Sequence, residues 1–241
     1  MLTDYETGEK PFSLSMLDEE KFSITIKKVG KFTTRLFEMK EGNKLYIRGP
    51  YGNVFNLHAE GKTQNQKLLV IGGGCGIAPL RFLIYRLIEN KSNKITIILG
   101  GRTKAELLFL REFNSLGIKV LCTTDDASYG VKGTAVDNLK LHYEQERYNY
   151  FYAAGPEPML KNAFEYLKDK QADGEFLLER YMKCGIGICG QCTIDPIGIR
   201  MCIEGPVVKK DVIAQLTEFG NYTRDAYGSR RMFSQTDITC K

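Results

Sequence analysis

A chain of 241 residues, 43% of them hydrophobic, can build one large or two smaller domains with an ample core, which excludes a disordered or fibrous class. The formal net charge of +5 comes without a long basic run, so non-specific nucleic-acid binding has no electrostatic basis, and no apolar run approaches a bilayer-crossing length. Seven cysteines without a charged-then-apolar leader point to a reducing, cytoplasmic setting, not to a disulfide scaffold, and any membrane association would have to come through a partner.

Near the start, Lys10-Pro-Phe-Ser-Leu-Ser15 predicts a strand entered through a proline, and residues 22–26 alternate apolar and polar as a half-buried strand does. Gly30-Lys-Phe-Thr-Thr34 opens a short helical segment over residues 35–39. Residues 45–48 resume as a strand and end in the turn Gly49-Pro-Tyr-Gly52. Residues 1–62 are therefore expected to form part of a small antiparallel barrel, closed by a polar linker over residues 56–67.

The texture then changes. Strand patterns at 68–71, 95–99, 119–122 and 150–153 alternate with helical patterns at 77–89, 104–115, 135–141 and 158–169. Such alternation predicts βαβ units and a parallel sheet covered on both faces, forming an α/β domain over residues 63–173. Between its first strand and helix lies Gly72-Gly-Gly-Cys-Gly76, where the amides of Gly72, Gly73, Gly74 and Gly76 can approach a pyrophosphate at a helix N-terminus. A plain tight turn is the alternative. Ala153-Ala-Gly-Pro-Glu-Pro-Met-Leu160 repeats the arrangement, with Gly155 and Pro156 at another strand-to-helix junction. Loops at the carboxyl ends of parallel strands line one crevice, so both elements point to one site, with Gly100-Gly-Arg102 and Thr124-Asp-Asp126 on the same edge. Arg102 suits a phosphate or an adenine face, or simply solvent.

Beyond residue 173 the regular pattern dissolves into Cys184-Gly-Ile-Gly-Ile-Cys189-Gly-Gln-Cys192, with Cys202 downstream. C-x4-C-x2-C with a fourth thiol close by matches the plant-type ligand run of a [2Fe–2S] cluster, and the interleaved glycines let amides turn toward an anionic centre. A structural zinc or unligated thiols are the alternatives, although His58 and His142 are both distant in sequence. Residues 174–241 are thus expected to be a cluster-binding lobe and tail, in which Glu218-Phe-Gly-Asn-Tyr-Thr-Arg-Asp225 packs around the cluster or docks a partner.

The motifs KPFS, GGGCGIAP and AGPEPM resemble the ferredoxin–NADP reductase superfamily, in which an FAD-binding barrel precedes a nicotinamide-dinucleotide domain. The run LERYMKCGIGICGQC, followed by RMCIEGPV, is similar to the electron-transfer subunits of NAD-dependent dihydroorotate dehydrogenase, and the resemblance spans Lys10 to about Arg231. It implies that Lys10, Pro11, Phe12 and Ser13 replace the family's R-P-x-S strand at the flavin, with lysine keeping the charge but losing the planar fork. It further implies flavin contacts from Thr25, Ile26 and Lys27 and a phosphate turn at Phe32 and Thr33, where Phe32 stands for the usual glycine. Ala154 stands where relatives carry a cysteine beside the nicotinamide, which implies slower nicotinamide chemistry or a different oxidant. Relatives carry several strands ahead of the R-P-x-S strand, so an incomplete, N-terminally truncated barrel and a late start of the sequence are expected.

The resemblance implies that electrons leave dihydroorotate in a separate FMN-containing catalytic subunit, cross the [2Fe–2S] cluster, reach FAD and reduce NAD, as a step of pyrimidine biosynthesis. Two copies would assemble with two catalytic subunits. A flavin between the other two carriers is required because nicotinamide exchanges two electrons at once and a cluster one. Asp125 and Asp126 would repel a 2′-phosphate and favour NADH over NADPH. No dihydroorotate site is recognisable, so no catalytic residue is assigned. Two other readings stay open: a diaphorase-type subunit of a soluble hydrogenase or of an NADH-dependent ferredoxin:NADP oxidoreductase, and a non-enzymatic metal-binding interaction module without flavin.

Overall fold

The computed structural model describes residues 1–57 and 65–233. It opens with an antiparallel hairpin of β1 (Leu2–Asp4) and β2 (Gly8–Lys10), whose turn is held by the Asp4 carboxylate accepting from the Thr7 amide at 3.0 Å. Pro11 has no N–H to give a ladder, and the strand expected over residues 10–15 is broken there. β2 stops at Lys10, and β3 (Leu14–Leu17) starts a separate ribbon with β4 (Phe22–Ile24). Helix α1 (Lys31–Glu38) begins earlier than residue 35, because the Thr33 hydroxyl accepts from the Val29 and Gly30 amides at 2.9 and 3.0 Å and pins the entering turn. β5 (Tyr46–Ile47) then pairs with β1. Among the described residues, the antiparallel part is thus a three-stranded sheet in the order β2-β1-β5 plus a two-stranded ribbon.

Most of the polar stretch expected as a linker lies outside the described residues, but its first residue is anchored. The Asn56 amide donates to a Glu175 carboxylate oxygen at 2.9 Å, and its carbonyl accepts from the Tyr152 hydroxyl at 2.8 Å. After it come β6 (Lys67–Gly73), α2 (Ile77–Ile88), β7 (Lys94–Gly101), α3 (Leu110–Ser115), β8 (Lys119–Thr124), β9 (Val131–Lys132), α4 (Ala135–Tyr143), β10 (Tyr150–Ala154), α5 (Glu157–Leu167) and β11 (Asp173–Leu177). The helix expected over 104–115 is split into a 3₁₀ turn at Lys104–Glu106 and α3, with Phe109 left-handed at φ +59° between them.

The last third is built from the hairpin β12 (Thr193–Ile194) and β13 (Ile199–Arg200), then β14 (Val207–Lys209), α6 (Lys210–Ile213), and the hairpin β15 (Tyr222–Arg224) and β16 (Arg230–Met232). The main sheet has the order β14-β11-β10-β6-β7-β8-β9, with β14 antiparallel and the other neighbours parallel. Regular structure therefore continues past the boundary expected at residue 173, which falls on the first residue of β11. Asp173-Gly174 reads as a turn signal, yet Gly174 lies inside a strand, where a Cβ would sit 2.5 Å from the Phe151 ring.

Side-chain alternation along β6 divides the core. Leu68 and Val70 join Leu80, Ile84 and Leu87 of α2 on one face, while Leu69 and Ile71 join Leu139 of α4 and Leu160, Phe164 and Leu167 of α5 on the other. Cys192, Ile194, Met201 and Cys202 belong to that second cluster. The cysteine-bearing segment is consequently packed onto the same core as the α/β sheet.

Candidate functional site

The two glycine junctions meet at the carboxyl edge of the sheet. Gly72 at the end of β6 pairs with Ala154 at the end of β10, and each strand turns there into a helix. A Cβ on Gly76 would lie 2.4 Å from the backbone of Gly155, and one on Gly155, whose φ is +156°, would lie 2.7 Å from the Met159 methyl. Side chains at either position would push the loops apart. Gly73 and Gly74, with Gly76, Gly155 and Pro156, border a cleft of about 620 Å³ at the starts of α2 and α5, where unpaired helix N–H groups suit a pyrophosphate. Ala154 is fully buried beneath this edge and does not line the cleft, whereas Cys75 does.

Charge is placed around the cleft. Glu106 accepts from Arg102 at 2.6 Å and lies 3.5 Å from the Lys27 ammonium. The Arg102 guanidinium, against the opposing effect of burial, holds the Glu106 carboxyl at about 2. Asp125 lines the cleft, and burial followed by the nearby Glu106 charge moves its carboxyl upward. Asp126 turns instead into its own loop and accepts from the Ser128 amide at 2.9 Å.

The cysteine loop follows three residues after Tyr181, which itself lines the cleft. Cys192 and Cys202 are buried, Cys184 is half-buried and Cys189 is exposed. The Cys189 amide donates to the Cys184 sulfur at 3.4 Å, and that amide first, then the Ile186 amide, hold the Cys184 thiol down at about 6. Burial pushes the Cys202 thiol up to about 11, assisted by its hydrogen bond with Cys192 and by the charges of Cys192 and Cys184. Gly187 has φ +76°, and a Cβ there would strike Ile203 at 2.7 Å. Four thiols of one segment, with the Cys189 and Ile186 amides turned onto the Cys184 sulfur, fit an anionic core held by four thiolates. Among the described residues no three His, Cys, Asp or Glu side chains converge as ligands of one ion would; a two-iron core takes its thiolates in pairs. Ile186, Ile188 and Ile203 are exposed around the loop.

Of the residues implied as flavin contacts, two lysines reach toward these regions. Lys10 lies over the Tyr181 ring at 4.8 Å, beside the cysteine loop, whereas Lys27 lines the cleft at Glu106. Phe12 stacks on Phe32 at 5.9 Å, so the residue standing for the usual glycine buries its ring in the N-terminal core. Thr33 spends its hydroxyl hydrogen on the Gly30 carbonyl at 3.1 Å. Pro11 and Ser13 are exposed, and Thr25 and Ile26 are half-buried just beyond β4.

Two arginines escaped the spacing rules because their partners are remote in sequence. Buried Arg180 joins Glu157 at the start of α5 to fully buried Glu218, which accepts at 2.7 Å. Glu218 also receives Arg224 at 2.5 Å, and Arg224 in turn reaches Asp195 at 2.5 Å. The segment 218–225, which carries no recognisable motif, is therefore the hub of a charge network between the nucleotide cleft and the cysteine lobe. The other is Arg48, which connects Glu9 to the carbonyls of Lys183 and Cys184.

Residues 179–214 match the model of the iron–sulfur cluster binding domain of dihydroorotate dehydrogenase B, and residues 70–164 match an oxidoreductase NAD-binding domain. The chain is 39% identical over 222 residues, 92% of its length and 82% of the relative's, to the Methanocaldococcus jannaschii protein named "Probable dihydroorotate dehydrogenase B (NAD(+)), electron transfer subunit". A Pyrococcus furiosus protein of the same name is 41% identical over 221 residues, 91% of this chain and 81% of the relative. Among solved structures, that of an NADH-dependent reduced ferredoxin-NADP oxidoreductase superimposes with a TM-score of 0.75 at 29% identity, covering 89% of this chain and 76% of the other. The ferredoxin reductase of carbazole 1,9a-dioxygenase, at a TM-score of 0.57 and 23% identity over 67% of this chain and 51% of the other, shares the fold.

Proposed function

Because the chain belongs to the electron-transfer subunits of NAD-dependent dihydroorotate dehydrogenase B, we propose that its N-terminal strands hold FAD between the cysteine loop and the glycine cleft. Its function is to pass electrons from a dihydroorotate-oxidising catalytic subunit through a [2Fe–2S] cluster and FAD to NAD+. When bound, the nicotinamide exchanges a hydride, the flavin converts between two-electron and one-electron exchange, and the cluster carries single electrons. Gly72, Gly73, Gly74, Gly76, Gly155 and Pro156 take the dinucleotide. Cys184, Cys189, Cys192 and Cys202 ligate the iron. Lys10 to Ser13, Thr25 to Lys27, Phe32 and Thr33 are assigned to the flavin.

The observation that carries this assignment is the position of two lysines of one N-terminal unit. Lys10 touches Tyr181 beside the cysteine loop, and Lys27 reaches Glu106 in the nucleotide cleft. A ligand held by these strands borders both other sites. The catalytic partner is FMN-containing and assembles two-plus-two, seated on the exposed isoleucines around the cysteine loop. Asp125 in the cleft favours NADH over NADPH. No helix among the described residues is long and apolar enough to cross a membrane.

Iron, acid-labile sulfide and flavin assays on the purified protein, followed by dihydroorotate-dependent NAD+ reduction with the FMN-containing oxidase, test the proposal. Two irons and one FAD per chain, with activity only on mixing, are expected. Zinc in place of iron without flavin would leave a metal-binding interaction module. Full loading, with exchange to ferredoxin and none to the oxidase, would make it a diaphorase-type subunit.

A further inference from the structure

Arg48, one residue beyond β5, uses every N–H of its guanidinium. Nε donates to a Glu9 carboxylate oxygen at 2.6 Å and Nη2 to the other at 2.6 Å. Nη2 also donates to the Lys183 carbonyl at 3.0 Å, and Nη1 donates to the Cys184 carbonyl at 2.5 Å and the Tyr51 hydroxyl at 3.0 Å. A Cβ on Gly185 would lie 3.1 Å from the Tyr51 ring and 3.3 Å from Nη1, so the cysteine loop rests directly on this arginine. The planar fork fixes orientation as an ammonium cannot.

We propose that Arg48 is a positioning residue that clamps the cysteine loop onto the N-terminal sheet and tunes the cluster electrostatically. The proposal rests on the assignment of a [2Fe–2S] cluster to the four cysteines. Glu9 is next to Lys10, so the clamp joins the strand assigned to flavin with the backbone of the first ligand. Its carboxylate lies on one edge of the guanidinium and the Cys184 carbonyl on the other. The ion pair therefore presents its positive end to the loop. Positive charge and hydrogen bonds near a cluster favour its more negative, reduced form and raise its potential.

The two halves of the pair must act with opposite sign. Arg48→Gln is expected to lower the midpoint potential of the cluster, on the order of a tenfold change in reduced fraction at fixed ambient potential, or about 59 mV for one electron. Glu9→Gln is expected to raise it, because the arginine charge is no longer offset. Arg48→Lys, which keeps charge without the fork, is expected to restore most of the potential while reduction of the cluster from NADH stays slower than wild type. The measurement is an EPR-monitored redox titration of the holoprotein, with stopped-flow reduction by NADH and flavin content alongside. Shifts of the same sign for Arg48→Gln and Glu9→Gln would mean loosening alone and overturn the electrostatic role. Unchanged potential and unchanged reduction rate in both variants would overturn the clamp. A wild-type protein without iron and sulfide would instead overturn the underlying cluster assignment.

Discussion

Glu106 sets the charge balance of the nucleotide cleft, since its one carboxylate serves both Arg102 and Lys27. Its carboxyl is held at about 2, against an ordinary value of 4.5, first by the hydrogen bond from Arg102. The folded value is the depressed one. The contribution is therefore complete above pH 4.5 and is lost as pH falls toward 2. The Arg102 side chain is 40% exposed, so solvent screens the pair and its contribution stays under about 1 kcal/mol. Glu106→Gln is expected to lower the urea midpoint by a small amount that is constant near pH 7 and shrinks by about pH 3. A gap that persists undiminished at acid pH would mean that the ion pair is not its source. Arg102 was visible in the sequence as a cation beside the site, but the helical pattern over 104–115 concealed its partner. The break at Phe109 leaves Glu106 in a short 3₁₀ turn that folds back over the cleft.

At the scale of elements, the two glycine loops form one surface because neither tolerates a side chain toward the other. Gly76→Ala is expected to weaken NADH binding by about tenfold or more, roughly 1.4 kcal/mol, while iron and flavin content stay unchanged. Gly74 provides the control: no atom lies within 4 Å of its hypothetical Cβ, and only its φ of +51° opposes substitution. Gly74→Ala should therefore cost about 1–2 kcal/mol of backbone strain, without displacing the Gly155 loop. Equal effects of the two substitutions on NADH titrations would refute the contact as the cause.

A second element-scale prediction concerns Glu218, whose charge is buried completely and shared by Arg180 and Arg224. Glu218→Ala leaves two guanidiniums short of a partner, at a cost of about 3–5 kcal/mol, read as a lower thermal midpoint and urea midpoint. A loss below about 1 kcal/mol would show that the network behaves as a surface ion pair does. Strands with strong period-two or continuous apolar patterns, such as β6 and β10, were legible in the sequence, and so were α2 and α5. β11 and β14 were not, since Asp173-Gly174 imitates a turn and β14 is three residues long. The ion pairs of Arg180 lie 23 and 38 residues away in sequence and belong to no local pattern.

Across the whole molecule, the N-terminal part is attached to the remainder by polar clips from Arg48, Asn53, Asn56 and Lys27. Asn53 exchanges hydrogen bonds with Val207, accepting at 2.9 Å and donating at 2.8 Å, and Asn56 holds Glu175 and Tyr152. Arg48 holds the cysteine loop and Lys27 the cleft. The cysteine spacing and glycine motifs made both sites readable separately, but their positions about one N-terminal unit follow from contacts between distant segments. That arrangement predicts separable functions. Cys184→Ser removes one of the four thiols proposed to ligate the cluster and is expected to abolish iron–sulfur absorbance and EPR, together with dihydroorotate-dependent NAD+ reduction in the presence of the partner. NADH oxidation by an artificial dye should remain within about twofold of wild type, since among the described residues the glycine cleft shares no side-chain hydrogen-bond partner with Cys184. Both activities are to be measured on one preparation, with flavin content verified first. Joint loss of both activities at full flavin occupancy would mean that the cysteine loop supports the nucleotide cleft itself, and the division into separate entry and exit sites would fail.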